Sequence, residues 1–143
     1  MNSQGGRPEG RTALITGASS GIGEACADVF AAHGFDLVIT ARREDRLRAV
    51  AARLEQHYGI QVLVFVADHA RQDTPERLCA EIASRGLTID ALVNNAGYGV
   101  PGTFVSSSWQ RHRGMMQVMV VGLAELTYRL LPGMIERGYG RII

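Results

Sequence analysis

Apolar positions along this chain fall into two alternating rhythms. Thr12 to Ile15, Leu37-Val38-Ile39, Val62 to Val66 and Ile89 to Val93 are short apolar runs of strand length. Between them, apolar residues recur with helical spacing: Ile22, Ala25, Cys26, Val29 and Phe30, then Leu47, Val50, Ala51 and Leu54, then Leu78, Cys79, Ile82 and Ala83. Each set predicts a helix that lays this face on a sheet. Gly34, Gly59 and Gly86 close the three helices, and Pro75 opens the third. The unbroken run Val62 to Val66 suits a strand covered on both faces. Strands and helices alternating across short joins predict a parallel α/β sheet with right-handed crossovers.

The rhythm changes after Val93. A Gly-rich loop from Gly97 to Ser106 leads to Ser106-Ser107-Ser108, which offer N-caps for a long helix over residues 109–137. Met115, Met116, Val118, Met119, Val120, Val121, Leu123, Leu126, Leu130 and Leu131 make it apolar around most of its circumference. Such a helix needs cover on more than one side. The expectation is a homo-oligomer formed through this helix, or further chain packed upon it. Trp109 is expected to anchor it. Gly138-Tyr139-Gly140 breaks the helix, and Arg141-Ile142-Ile143 begins a fifth strand inside which the sequence stops.

Composition narrows the picture little. With 143 residues, the chain reads as one domain, 1–143, preceded by a loose polar tail, 1–11. A net charge of +1 argues against bulk electrostatic binding to nucleic acid or a membrane surface. No apolar run approaches the roughly 20 residues of a membrane span. Cys26 and Cys79 form no C-x-x-C pair and fall on predicted helices, as buried thiols of a cytoplasmic protein would. His33, His57, His69 and His112 lack ligand spacing, so no metal is expected.

The chemistry lies at the first strand-to-helix join, Thr16-Gly17-Ala18-Ser19-Ser20-Gly21-Ile22-Gly23. A strand that turns through glycines into a helix N-terminus presents free N–H groups and the positive end of the helix dipole to an anion. Gly17 would allow the tight turn, and Gly21 and Gly23 would let backbone approach a pyrophosphate and helix approach strand. Ser19 and Ser20 could donate hydroxyls to phosphate oxygens. A strand before, an amphipathic helix after and a second strand beyond make this a dinucleotide site rather than an ordinary turn.

At the end of the second predicted strand, an acid would bind the adenosine ribose diol and a base would accept a 2′-phosphate. The sequence there reads Thr40-Ala41-Arg42-Arg43, and Asp36 lies at the strand's other end. Arg42 is placed to pair bidentately with a phosphate. NADP(H) is therefore expected over NAD(H). Arg42 and Arg43 could instead form only the solvated start of a helix that continues through Arg46 and Arg48.

Three segments carry a family resemblance. Thr16 to Gly23 resembles the TGxxxGxG signature of the short-chain dehydrogenase/reductase family, and Asn94-Asn95-Ala96-Gly97 resembles its NNAG element. Leu131 to Met134, Arg137-Gly138 and Gly140 to Ile143 resemble its helix-to-fifth-strand segment. The resemblance implies a Rossmann-type, doubly wound parallel sheet of order 3-2-1-4-5 in three layers, α/β/α, with its C-terminal part missing here. It implies an oxidoreductase that moves hydride between a nicotinamide cofactor and a small carbonyl or alcohol. This chain would be the cofactor-binding N-terminal portion; the alternative is a non-catalytic NADP(H)-binding fragment or remnant.

The resemblance also assigns residues. It sets Asp68 against the adenine edge, a role favoured over the alternative of capping the stretch Asp68 to Arg71. It sets Asn94, Asn95, Ala96 and Gly97 under the adenosine ribose, with Asn95 as fit for tying strand ends together as for binding. It further implies a catalytic Y-x-x-x-K pair with a serine and an asparagine. All 15 basic residues are arginine, so none of Tyr58, Tyr98, Tyr128 and Tyr139 can head such a pair. Met119 stands at the family asparagine position. No catalytic residue is therefore assigned within the chain, and only residues 98–104 are expected near the mouth of the site.

Overall fold

The computed structural model describes residues 10–143. In chain order the elements are β1 (Thr12–Thr16), α1 (Gly21–Ala32), β2 (Asp36–Ala41), α2 (Glu44–Tyr58), β3 (Val62–Val66), α3 (Thr74–Ser84), β4 (Ala91–Val93), α4 (Trp109–Met116), α5 (Gly122–Glu136) and β5 (Arg141–Ile142). A 3-10 turn, Phe104–Ser106, precedes α4, and a π-helical turn, Gln117–Val121, joins α4 to α5. The strands form one parallel sheet in the order β3-β2-β1-β4-β5. The doubly wound, three-layer sheet expected from the sequence is therefore present.

Period-two alternation divides the core between the sheet's two faces. Ala13, Ile15, Leu37, Ile39, Ala91 and Val93 pack with Ala27 and Ala31 of α1 and Leu47, Val50, Ala51 and Leu54 of α2. Leu14, Val38 and Leu92 point the other way, onto Leu78 and Ile82 of α3 and Leu126 and Met134 of α5. Side chains buried to this degree each contribute about 1.5–3 kcal/mol. The result is a rigid platform whose strands all end at one edge, where the loops after β1, β2, β3 and β4 meet.

Several sequence expectations are corrected. Helix α1 does not bury Ile22, Ala25 and Val29: Ile22 is 75% exposed and Val29 59%. Its sheet-facing stripe is Gly23, Ala27 and Ala31, flanked by half-buried Cys26 and Phe30. Small residues win because α1 crosses β1 so closely that a larger side chain would not fit. Strand β3 is the sheet's edge, so its run is only half-buried. Ala83 is exposed, and both cysteines are half-buried. Trp109 anchors nothing, being 61% exposed.

The tail expectation holds no structural content for residues 1–9, which lie outside the described residues. Arg11 is not loose: its carbonyl accepts the Asp36 N–H at 2.9 Å, and its guanidinium lies 3.8 Å from the Tyr139 ring centre.

The long helix is a continuous rod, Trp109–Glu136, interrupted by its π turn. By length and composition it is apolar enough to cross a membrane, contrary to the sequence expectation. Here it lies along the sheet, burying Val118, Leu126 and Met134. Its outer side leaves Val120, Val121, Tyr128 and Ile135 between 52% and 79% exposed.

Candidate functional site

Beyond the C-terminal ends of the strands lies an open cleft of about 180 Å³. Open α/β sheets place their ligands at this edge, where strand order reverses on either side of β1. The cleft is lined by Gly17, Ser19, Ser20, Ala41, Arg42, Arg43, Asp68, His69, Ala96, Gly97, Tyr98 and Val118. Eight of these are residues singled out from the sequence. The other six, Thr16, Gly21, Ile22, Gly23, Asn94 and Asn95, do not line it; most of them build its floor.

That floor is a set of hydrogen bonds between the ends of β1 and β4. The Thr16 hydroxyl donates to the Val93 carbonyl and accepts from the N–H groups of Asn95 and Ala96, at 3.0 and 2.9 Å. The Asn95 side-chain amide donates to the carbonyls of Thr16 and Gly17. Asn95 is thus spent on structure, and Thr16 with it. Asn94 bridges to α5, donating to the Thr127 hydroxyl at 3.2 Å.

The three loop glycines answer to different constraints. Gly17 has φ +70°, and a Cβ there would lie 2.9 Å from the Ala96 Cα. A Cβ on Gly23 would run into the Gly17 carbonyl and stand 2.5 Å from the Asn95 amide nitrogen. Both glycines serve the packing of α1 on the strand ends. Gly21 differs: its φ is +62°, yet a Cβ would meet nothing within 4 Å. The space before it is open, as a backbone that receives a ligand requires. Ser20 is the α1 N-cap residue, and no side chain caps that helix. The first-turn N–H groups therefore face outward with the positive end of the dipole.

The two arginines after β2 take separate positions. Arg43 reaches back across the cleft and donates to the Ser19 and Ser20 hydroxyls, at 3.1 and 2.7 Å. Arg42 makes no hydrogen bond or ion pair among the described residues. Its guanidinium sits 5.8 Å from the centre of the Tyr98 ring. No carboxylate stands at the end of β2; Asp36, at its start, caps Gln61 of the following join.

Asp68 lines the cleft and also shapes its own loop. One carboxylate oxygen accepts the Ala70 N–H at 2.9 Å, and its carbonyl accepts the Thr74 hydroxyl. The sequence left these two roles open, and the geometry accommodates both. His69 is a wall residue that sequence reasoning missed. Its Nε2 shares a 3.1 Å hydrogen bond with the Thr40 hydroxyl, and burial pushes its pKa below the usual imidazole value. A lone histidine in a polar loop carries no pattern that would mark it. Tyr98, expected at the mouth of the site, does line the cleft, whereas Val118 was missed, because only the fold brings the π turn over the strand ends.

Met119 lies on the π turn with its side-chain atoms 3.5–3.7 Å from where a Gly97 Cβ would stand. π turns recur at functional positions because they rotate one residue out of helical register. Among the described residues, no group of three or more His, Cys, Asp or Glu is placed to hold a metal.

Comparison with known proteins gives this geometry a context. Residues 11–143 match the family model described as short chain dehydrogenase. The chain is 34% identical to a very-long-chain 3-oxoacyl-CoA reductase of Anas platyrhynchos, across 94% of this chain and 44% of that protein. It is also 34% identical to inactive hydroxysteroid dehydrogenase-like protein 1 of Rattus norvegicus, across 97% of this chain and 44% of the relative. Among solved structures, L-sorbose reductase from Gluconobacter frateurii, complexed with NADPH and L-sorbose, superposes with a TM-score of 0.86 at 36% identity. That match covers 93% of this chain and 51% of the other. The chain thus spans about half the length of the relatives it matches.

Proposed function

The chain belongs to the short-chain dehydrogenase family, and from that premise we propose that it is the cofactor-binding portion of an NADP(H)-dependent oxidoreductase. The observation that carries this reading is the pairing of an uncapped, glycine-opened α1 N-terminus with two arginines and no carboxylate at the end of β2. The NADPH bound to the structurally similar L-sorbose reductase supports it.

The residues present fit a dinucleotide. The α1 N-terminus would hold the pyrophosphate against backbone N–H groups at Gly21 and Ile22, with the Ser19 and Ser20 hydroxyls as further donors. Arg42 would pair with the 2′-phosphate, and Arg43, already at the serines, would neutralise charge between it and the pyrophosphate. Asp68 would accept from the adenine amino group. Gly97 and the small Ala96 would offer the ribose a floor without bulky side chains. When bound, the nicotinamide supplies a hydride at C4 for exchange with a carbonyl or alcohol carbon. Met119, whose side chain lies against Gly97, would stand toward that half.

A second reading is favoured by one position. Met119, at the π turn beside Gly97, offers a thioether where a proton-relaying chain would want an amide. A non-catalytic NADP(H)-binding protein would tolerate this. We further propose that the outer face of Trp109–Glu136 forms a contact between copies of the chain. Calorimetric titration with NADPH and NADH tests the main reading. NADPH should bind more tightly, and Arg42→Asp should remove the preference. An unchanged NADPH/NADH affinity ratio in Arg42→Asp would defeat the assignment.

A further inference from the structure

Arg42 is an unusual cation. It lines the cleft without a carboxylate, carbonyl or hydroxyl partner among the described residues, whereas neighbouring Arg43 holds two serine hydroxyls. A long side chain left free in this way samples many rotamers and must be ordered when a ligand binds, at a cost in affinity. The single directional contact on Arg42 is the face of Tyr98, 5.8 Å from guanidinium carbon to ring centre. This lies within the range of a cation–π attraction.

Tyr98 is itself held. It follows Gly97 in the loop after β4, and its hydroxyl lies 2.7 Å from where a Cβ on Gly114 would stand. The absence of a side chain at Gly114 is what lets the phenol lie against α4. That same position is 3.7 Å from the Ala70 Cβ. The phenol end of Tyr98 is therefore seated against α4, near the loop after β3, and the Arg42 guanidinium stands over the face of its ring.

We propose that Tyr98 is a specificity-determining positioning residue, holding the Arg42 guanidinium over the cleft for the 2′-phosphate of the cofactor. This rests on the NADP(H) reading above. Tyr98 acts through Arg42 and so sets preference for the 2′-phosphate rather than affinity for adenosine as such. The ring face carries the effect, so the hydroxyl is dispensable.

The test uses the 143-residue chain with two probes, 2′,5′-ADP and 5′-AMP, titrated by calorimetry. The wild type should bind 2′,5′-ADP more tightly. Tyr98→Leu should weaken 2′,5′-ADP by about two- to five-fold, the value of an exposed cation–π contact, and leave 5′-AMP unchanged. Tyr98→Phe should retain wild-type affinity for both. Gly114→Val, which displaces the phenol without altering it, should reproduce the Leu result. Equal affinity of Tyr98→Leu and wild type for 2′,5′-ADP would overturn the proposal, as would a parallel loss for both probes or failure of Phe to rescue. A wild type indifferent to the 2′-phosphate would instead sink the NADP(H) reading itself.

Discussion

Replacing Gly23 by alanine should cost stability, whereas replacing Gly21 should cost binding. A Cβ on Gly23 would overlap the Gly17 carbonyl, a backbone atom that cannot swing aside, and press on the Asn95 amide at 2.5 Å. Helix α1 must then back away from the strand ends. Overpacking of this kind costs about 1–3 kcal/mol. Displacing Asn95 from its bonds to Thr16 and Gly17, of 3.0 and 3.2 Å, adds about 0.5–1.5 kcal/mol for each. Alanine's better helix propensity returns up to about 1 kcal/mol. The net loss is about 3 kcal/mol. Gly21→Ala meets no atoms, so its cost is the left-handed φ alone, about 1–2 kcal/mol. Its methyl group would occupy the open space before α1 and weaken cofactor binding far more than the stability loss explains. Urea unfolding, read at constant m-value, separates the two variants. A Gly23→Ala protein within about 0.5 kcal/mol of wild type would refute the close-packing account of this loop.

Other outcomes follow from the same structure. His69 is held neutral by burial beside the Thr40 hydroxyl, with Asp68 as its nearby opposing charge. Its folded pKa lies below its unfolded value of about 6.5, so the unfolded chain binds the extra proton in the window between them. Stability should be full above pH 6.5 and fall as pH drops through that window. His69→Gln should flatten the slope, as measured by unfolding across pH 4.5–8. The exposed outer face of Trp109–Glu136 should drive self-association, so light scattering should give a mass above 15.5 kDa and Val120→Arg should lower it. The 143-residue chain should show no NADPH-dependent carbonyl reduction; steady NADPH oxidation with a ketone would show that its residues suffice for the chemistry.

Most of the fold was legible because parallel strands and their helices each have a strong period. The α2 stripe of Leu47, Val50, Ala51 and Leu54 faces the sheet as its spacing says. Helix α1 misled because its inward positions are Gly23, Ala27 and Ala31, small residues that hydropathy underrates. Close approach, not apolarity, selects them. The edge position of β3 was illegible locally, since strand order decides which strand lacks a neighbour. In the site, the glycine loop and the arginine pair could be read from type and spacing. The division of labour between Arg42 and Arg43 could not, because it depends on Ser19, Ser20 and Tyr98, which are distant in sequence. Asn94 and Asn95 read alike, yet one reaches α5 and the other ties β1 to β4.

The central claim is that one cleft, at the ends of β1, β2, β3 and β4, receives the adenosine half of NADP(H). Backbone amide NMR of the labelled chain, titrated with NADPH, tests it most directly. The account predicts saturable shifts concentrated at Gly17 to Gly23, Arg42, Arg43, Asp68, Ala96 and Gly97. Absence of saturable shifts, or shifts confined to residues away from this cleft, would contradict it.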